Sequence, residues 1–154
     1  MYPYLLAIHS LTRWFVFLSL LYAIYRSYRG WLGNKAYTNL ENQVRHWSAT
    51  FAHVQLVLGL WLYYISPITN YFLHHFKEAI HERELRFFGM EHISMMLLGI
   101  IIITISSILS KRKQADKQKF RTLAIGYTIA LLVILSSVPW PVSPVVSRPY
   151  LRFF

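Results

Sequence analysis

Cysteine is absent from the 154-residue chain. Without it there is no disulfide, thiolate zinc site, iron–sulfur cluster, thiol nucleophile or covalently attached c-type haem. Charge is scarce as well: charged residues make up 14% of the chain, where soluble domains carry about a quarter. Acidic residues number 6 against 16 basic ones. So few carboxylates argue against acid–base catalysis by a carboxylate pair. Also missing are a glycine-rich phosphate loop, a G-x-S-x-G elbow and an HExxH motif. No internal repeat or low-complexity tract occurs. What is abundant is apolar: hydrophobic residues are 55% and aromatics 17%, with a mean hydropathy of +0.36. This excludes intrinsic disorder and an ordinary soluble enzyme, and it suits one domain in a membrane.

A bilayer core of about 30 Å needs about 20 apolar residues in helical form. Four stretches approach this, at about 4–25, 47–65, 87–109 and 123–138. The fourth is short alone and is expected to start in the basic stretch before it, giving a span over 121–138. The first lacks a preceding basic region and an Ala-x-Ala pattern, so a retained helix is expected rather than a cleaved signal. The predicted fold is all-α, an integral membrane four-helix bundle formed by residues 1–154 as a single domain.

Loop charges predict its direction. The connection over 26–46 carries Arg26, Arg29, Lys35 and Arg45 against Glu41, and the connection over 111–121 carries six basic residues against Asp116. Together they hold 10 of the 16 basic residues. Both termini are therefore expected outside the cytoplasm. The basic runs are read as topology signals and anionic-lipid contacts. Nucleic acid is not an expected partner, because these residues flank apolar spans.

Gly30, Gly33 and Asn34 are expected to break the first helix. Thr38 with Glu41 forms a Thr-x-x-Glu capping box, so the second helix should start near Asn39 and end at Ser66 and Pro67. Over 71–88, Phe72, Phe76 and Ile80 recur every four residues among charges, which predicts a short amphipathic helix in the outer loop. Pro139-Trp140-Pro141 should stop the fourth helix. The tail over 139–154 should be extended. Its Tyr150, Leu151, Phe153 and Phe154 predict packing on lipid or on a partner subunit. Aromatics near span ends, among them Trp31, Trp47 and Trp140, read as an interfacial belt.

The informative residues are those a bilayer rejects. His9 and Arg13 lie in span one, His53 and Gln55 in span two, and Glu91 and His92 in span three. Ionisable groups at depth cost a few kcal/mol or more and face the bundle interior. At about 1.5 Å per residue, His9 and His92 each lie roughly 7–10 Å inside the outer ends of their spans. These spans run in the same direction, so the two imidazoles can meet at one level and hold a haem iron from both faces. The pairing is taken to require spans one and three to be adjacent. Arg13 shares the face of His9 and is the candidate partner of a haem propionate or of Glu91. Ala7, Ser10, Gly89 and Ser94 would leave room for a flat macrocycle.

His53 is a reserve ligand, the ligand of a second site or a hydrogen-bonding group. With His46 and Thr50 it forms a face that could carry protons. A lone histidine in a span is often only a packing residue, and Arg13 with Glu91 can be a buried ion pair. Three histidines on three helices point to a functional site. His74, Glu78 and His81 share a helical face in the outer loop, with spacing that is weak evidence for zinc or copper. Met90, Met95 and Met96 read as packing.

The stretches His9-Ser10-Leu11-Thr12-Arg13-Trp14, Phe51-Ala52-His53-Val54-Gln55-Leu56, Glu91-His92 with Met95-Met96, and Pro139-Trp140-Pro141 resemble a family of small bacterial four-helix membrane proteins labelled cytochrome b. The resemblance implies an inner-membrane haem b protein in electron transfer, with His9, His53 and His92 as matching histidines. A looser similarity, through His9 and Trp14, is to copper-resistance and protoporphyrinogen-oxidase membrane families. The leading expectation is an electron-transfer protein or subunit rather than a stand-alone enzyme. It has haem b between His9 and His92, and redox partners meeting the outer loop and tail. The alternatives are a cofactor-free structural or assembly subunit of a larger complex, and an oxidoreductase acting on a tetrapyrrole or quinol.

Overall fold

A computed structural model describes residues 1–142 and 146–149. Among them all regular structure is helical. Helix α1 spans Tyr2–Leu32, α2 Asn39–Ile65, α3 Pro67–His74, α4 Phe76–Ala79 and α5 Arg83–Arg86. A π-helical turn, Phe87–Glu91, leads into α6, His92–Arg112, and α7 is Asp116–Ser136. Four helices are long and apolar enough to cross a membrane: Tyr2–Leu32, Asn39–Ile65, Arg83–Arg112 and Asp116–Ser136. The 21 residues of α7 give about 31 Å at 1.5 Å per residue, matching a bilayer core.

Local chemistry sets the ends of these helices. Pro3 sits in the first turn of α1, where its missing N–H costs nothing. Gly33 closes that helix, and Asn34 follows at φ 46°, in the left-handed region. The Thr38 N–H donates to the Glu41 carboxylate at 3.2 Å, and the Thr38 hydroxyl reaches the same group. Ser66 is extended, as a residue before proline must be, and Pro67 opens α3. The segment over 71–88 is divided among α3, α4, α5 and the π turn. Helix α7 stops at Ser136, two residues short of the expected span end, because its last turn closes ahead of Pro139. Of the tail, Val146–Pro149 are described and carry no helix; the expected packing of Tyr150, Leu151, Phe153 and Phe154 lies outside the described residues.

Packing makes a square. Helix α1 borders α2 and α7, and α6 borders α7 and α2, so α1 and α6 stand diagonally. The outward faces carry exposed Leu18, Val57, Ile101 and Leu132. Such a surface is unfavourable in water and ordinary against lipid. Lipid gives little hydrophobic drive to helix pairing, so association rests on close packing and hydrogen bonds. The end of the bundle near the α1–α2 turn supplies both. Phe120, Ala124, Tyr127 and Ile103 are fully buried there. Gly126 faces Ser106 so closely that any side chain at that glycine would collide with the serine.

Several polar groups at this end are paired. Arg45 donates to Ser107 at 2.5 Å and to Asn42 at 2.9 Å. The Tyr127 hydroxyl donates to the Arg45 carbonyl at 3.2 Å, and Ser48 donates to the Ser19 carbonyl at 3.0 Å. The Asp116 carboxylate accepts the Tyr37 N–H at 3.0 Å and pairs with Lys119 at 3.1 Å. Burial pushes the Tyr37 hydroxyl above the ordinary tyrosine value, so it stays neutral.

Candidate functional site

At the opposite end, the one that holds Tyr2, the core opens. His9 and Arg13 on α1 and His92 at the start of α6 line one cavity of about 420 Å³, a size common among cofactor and small-ligand pockets, about 300–1,000 Å³. Leu6, Leu56, Met96 and Ile134 supply much of its apolar wall. His9, His92 and Arg13 lie within electrostatic range of one another.

The adjacency on which the histidine pairing is taken to depend is not met: α1 and α6 are diagonal. Depth along a helix is a local property, whereas neighbour order depends on the whole bundle. The diagonal does not separate the two residues, since both line the central space.

His92 is held in one tautomer. Its Nδ1 lies 2.7 Å from the Ser137 carbonyl oxygen. A carbonyl only accepts, so Nδ1 carries the proton and Nε2 keeps a lone pair. Ser137 lies just past α7, where carbonyls lack helical partners. The early stop of α7 thus creates the acceptor. The rings of Phe87 and Phe88 lie 5.7 and 6.2 Å from the imidazole. Both belong to the π-helical turn, an irregularity that recurs at functional sites. The Gly89 carbonyl of that turn accepts the Tyr63 hydroxyl at 2.8 Å, which ties it to α2.

His9 is fixed from α2. Gln55 Nε2 donates to the His9 carbonyl at 2.9 Å, and its Oε1 accepts the Thr12 hydroxyl. One turn on is Gly59, where an added Cβ would lie 3.2 Å from His9 Cε1. The imidazole therefore rests in space that only glycine leaves comfortably. Its Nδ1 is buried and has no hydrogen-bond partner among the described residues. The Arg13 guanidinium lies 5.8 Å from the Trp14 ring and 6.0 Å from the Trp140 ring. Trp140 is held by its Nε1–H, which donates to the Leu135 carbonyl at 3.0 Å.

The other candidates lie elsewhere. His53 is exposed on the bundle exterior, with Nε2 3.0 Å from Thr104 Oγ1. The Thr104 hydroxyl already donates to the Ile100 carbonyl at 2.7 Å, so it accepts from His53 and joins α2 to α6. Glu91 pairs with Arg86 at 2.7 Å and does not line the cavity. Of the small residues considered, Ser10 lines it and Ala7, Gly89 and Ser94 do not. Among the described residues, no group of three or more histidines and carboxylates is placed to hold a metal ion.

Sequence reasoning missed Gly59 and the role of Trp140 as a wall of the site. The i, i+4 spacing of Gln55 and Gly59 was the available signal for the first. Nothing in the sequence signals the π turn. Comparison with protein families, curated proteins and solved structures finds no match to this chain.

Proposed function

We propose that the chain is a membrane-embedded haem b protein or subunit in electron transfer, with His9 and His92 as the axial pair. The observation that carries this reading is the His92 hydrogen bond to Ser137. It orients the ring and leaves Nε2 as the ligating nitrogen, the outer-shell arrangement that metal-bound histidines use. His9 supports it from the diagonal helix, with a buried Nδ1 that has no hydrogen-bond partner among the described residues. Haem would supply a one-electron couple. The apolar wall excludes water and raises the influence of every nearby charge. Arg13, framed by Trp14 and Trp140, provides a cation suited to a propionate carboxylate. Non-covalent b-type attachment agrees with the absence of cysteine.

The basic connections support an N-out, C-out orientation in a bacterial inner membrane. The site then lies near the outer face, beneath α3, α4 and α5. Phe72, Phe76 and Ile80 along that segment suit an amphipathic covering at the membrane surface. A redox partner would approach over these elements and the described tail, where Arg148 pairs with Glu84. Such a chain is an electron-transfer component rather than a stand-alone enzyme.

The test is spectroscopic. His9→Ala and His92→Ala are each expected to abolish the bis-histidine absorbance of the purified protein, and His53→Ala to preserve it. Unchanged spectra in both cavity variants would sink the proposal.

A further inference from the structure

The far end of the molecule carries a second pocket, of about 240 Å³, lined by Arg26, Arg29, Gly30, Lys35, Glu41 and Phe120. Its floor is aromatic: the Phe120 ring lies directly against Gly30, in the space where a Cβ would stand. Three cations face it against one carboxylate. That carboxylate is already committed, because Glu41 pairs with Arg26 and accepts from the Thr38 N–H and hydroxyl. Asp116, the acidic residue of the neighbouring connection, is likewise bound to Lys119 and the Tyr37 N–H. Among the described residues, Arg29 and Lys35 have no ion-pair partner.

We infer that this pocket binds a phosphate group, presented as the headgroup of an anionic phospholipid or as a soluble phosphate ester. Arg26 is held in place by Glu41 and packs 6.0 Å from the Tyr22 ring, so one donor is preorganised. Arg29 lies one turn further along the same face of α1 and offers a planar fork that matches phosphate oxygens. Lys35 comes from the turn and adds a point charge. The pocket is small, which suits a phosphate and its immediate ester rather than a nucleotide. The same end of α1 carries groups suited to the headgroup level of a bilayer: Tyr28 stacks on Trp31 at 5.9 Å, and Arg121 lies 5.7 Å from the same indole. Basic pockets between membrane helices bind anionic headgroups. This inference is independent of the haem reading.

The test follows thermal unfolding of the detergent-solubilised protein during titration with phosphatidylglycerol, phosphatidylcholine or inorganic phosphate. Phosphatidylglycerol should stabilise the protein and phosphatidylcholine should not. The double variant Arg29→Gln with Lys35→Gln should weaken half-saturation by about tenfold or more, the loss of one or two charge-assisted hydrogen bonds. The control, Lys111→Gln with Lys113→Gln, removes equal charge at the same end of the bundle and should shift it by less than about threefold, as for screened surface charge. Equal shifts in the two doubles, or equal stabilisation by the two lipids, would overturn the site. Stabilisation by inorganic phosphate that the first double abolishes would keep the site and identify a soluble phosphate as its source. Native mass spectrometry of the unaltered protein in an equimolar lipid mixture adds a readout that needs no variant. Retained phosphatidylglycerol is expected, and equal retention of phosphatidylcholine would contradict the inference.

Discussion

At the end of the bundle near the α1–α2 turn, Tyr127, Ala124 and Ile103 have no exposed surface, and Gly126 lets α7 press on Ser106. At the end near Tyr2, the same four helices enclose about 420 Å³. The difference lies in side-chain size and in how polar groups are satisfied. Small residues close the first end, where the hydroxyls of Ser48, Ser107 and Tyr127 find a carbonyl or an arginine within the bundle. At the second, two imidazoles and a guanidinium line a space walled by indoles and aliphatic chains, and among the described residues His9 Nδ1 finds no acceptor or donor. One end holds the helices together, and the other leaves a space that the helices surround. Stability and ligand occupancy should therefore respond to different substitutions.

The largest effect is expected from Gly59→Leu. It would push the His9 ring out of the cavity and remove most bound haem, measured as haem per chain, while the apoprotein unfolds within a few degrees of the unaltered one. Gly126→Val should do the reverse. Forcing a side chain against Ser106 should cost about 1–3 kcal/mol, read by thermal unfolding in detergent, with the spectrum of the folded fraction unchanged. Tyr127→Phe removes one hydroxyl from the closed end. Hydrogen bonds within membranes average about 0.6 kcal/mol and reach about 1.7, so a loss in that range is expected by the same assay. His53→Ala should be smallest, about 0.6 kcal/mol from the link to Thr104, with no change in absorbance. Loss of haem in His53→Ala, or of stability alone in Gly59→Leu, would break the division between the two ends.

Much of the fold was legible because its rules are local. Apolar length marked the four long helices, Thr38 with Glu41 marked the start of α2, and Pro67 and Pro139 marked stops. Depth is local too, which is why His9 and His92 could be matched from residue counts. Helix order is not local, so the diagonal placement of α1 and α6 could not be read. Nor could the side of α2 that His53 occupies: it sits two residues from Gln55, which faces α1, and two residues on a helix point about 200° apart. Glu91 looked like a partner for Arg13, but Arg86 lies five residues away and takes it first. The π turn was invisible because no residue preference marks it; its Gly89 meets Phe72 and accepts from Tyr63, contacts that depend on the whole bundle.

The most direct measurement is a dithionite-reduced minus oxidised absorbance spectrum of the purified protein, paired with a pyridine haemochrome count. A sharp b-type α-band at about one haem per chain, as one axial histidine pair requires, is the predicted result. A folded, colourless protein from haem-replete cells would contradict the account.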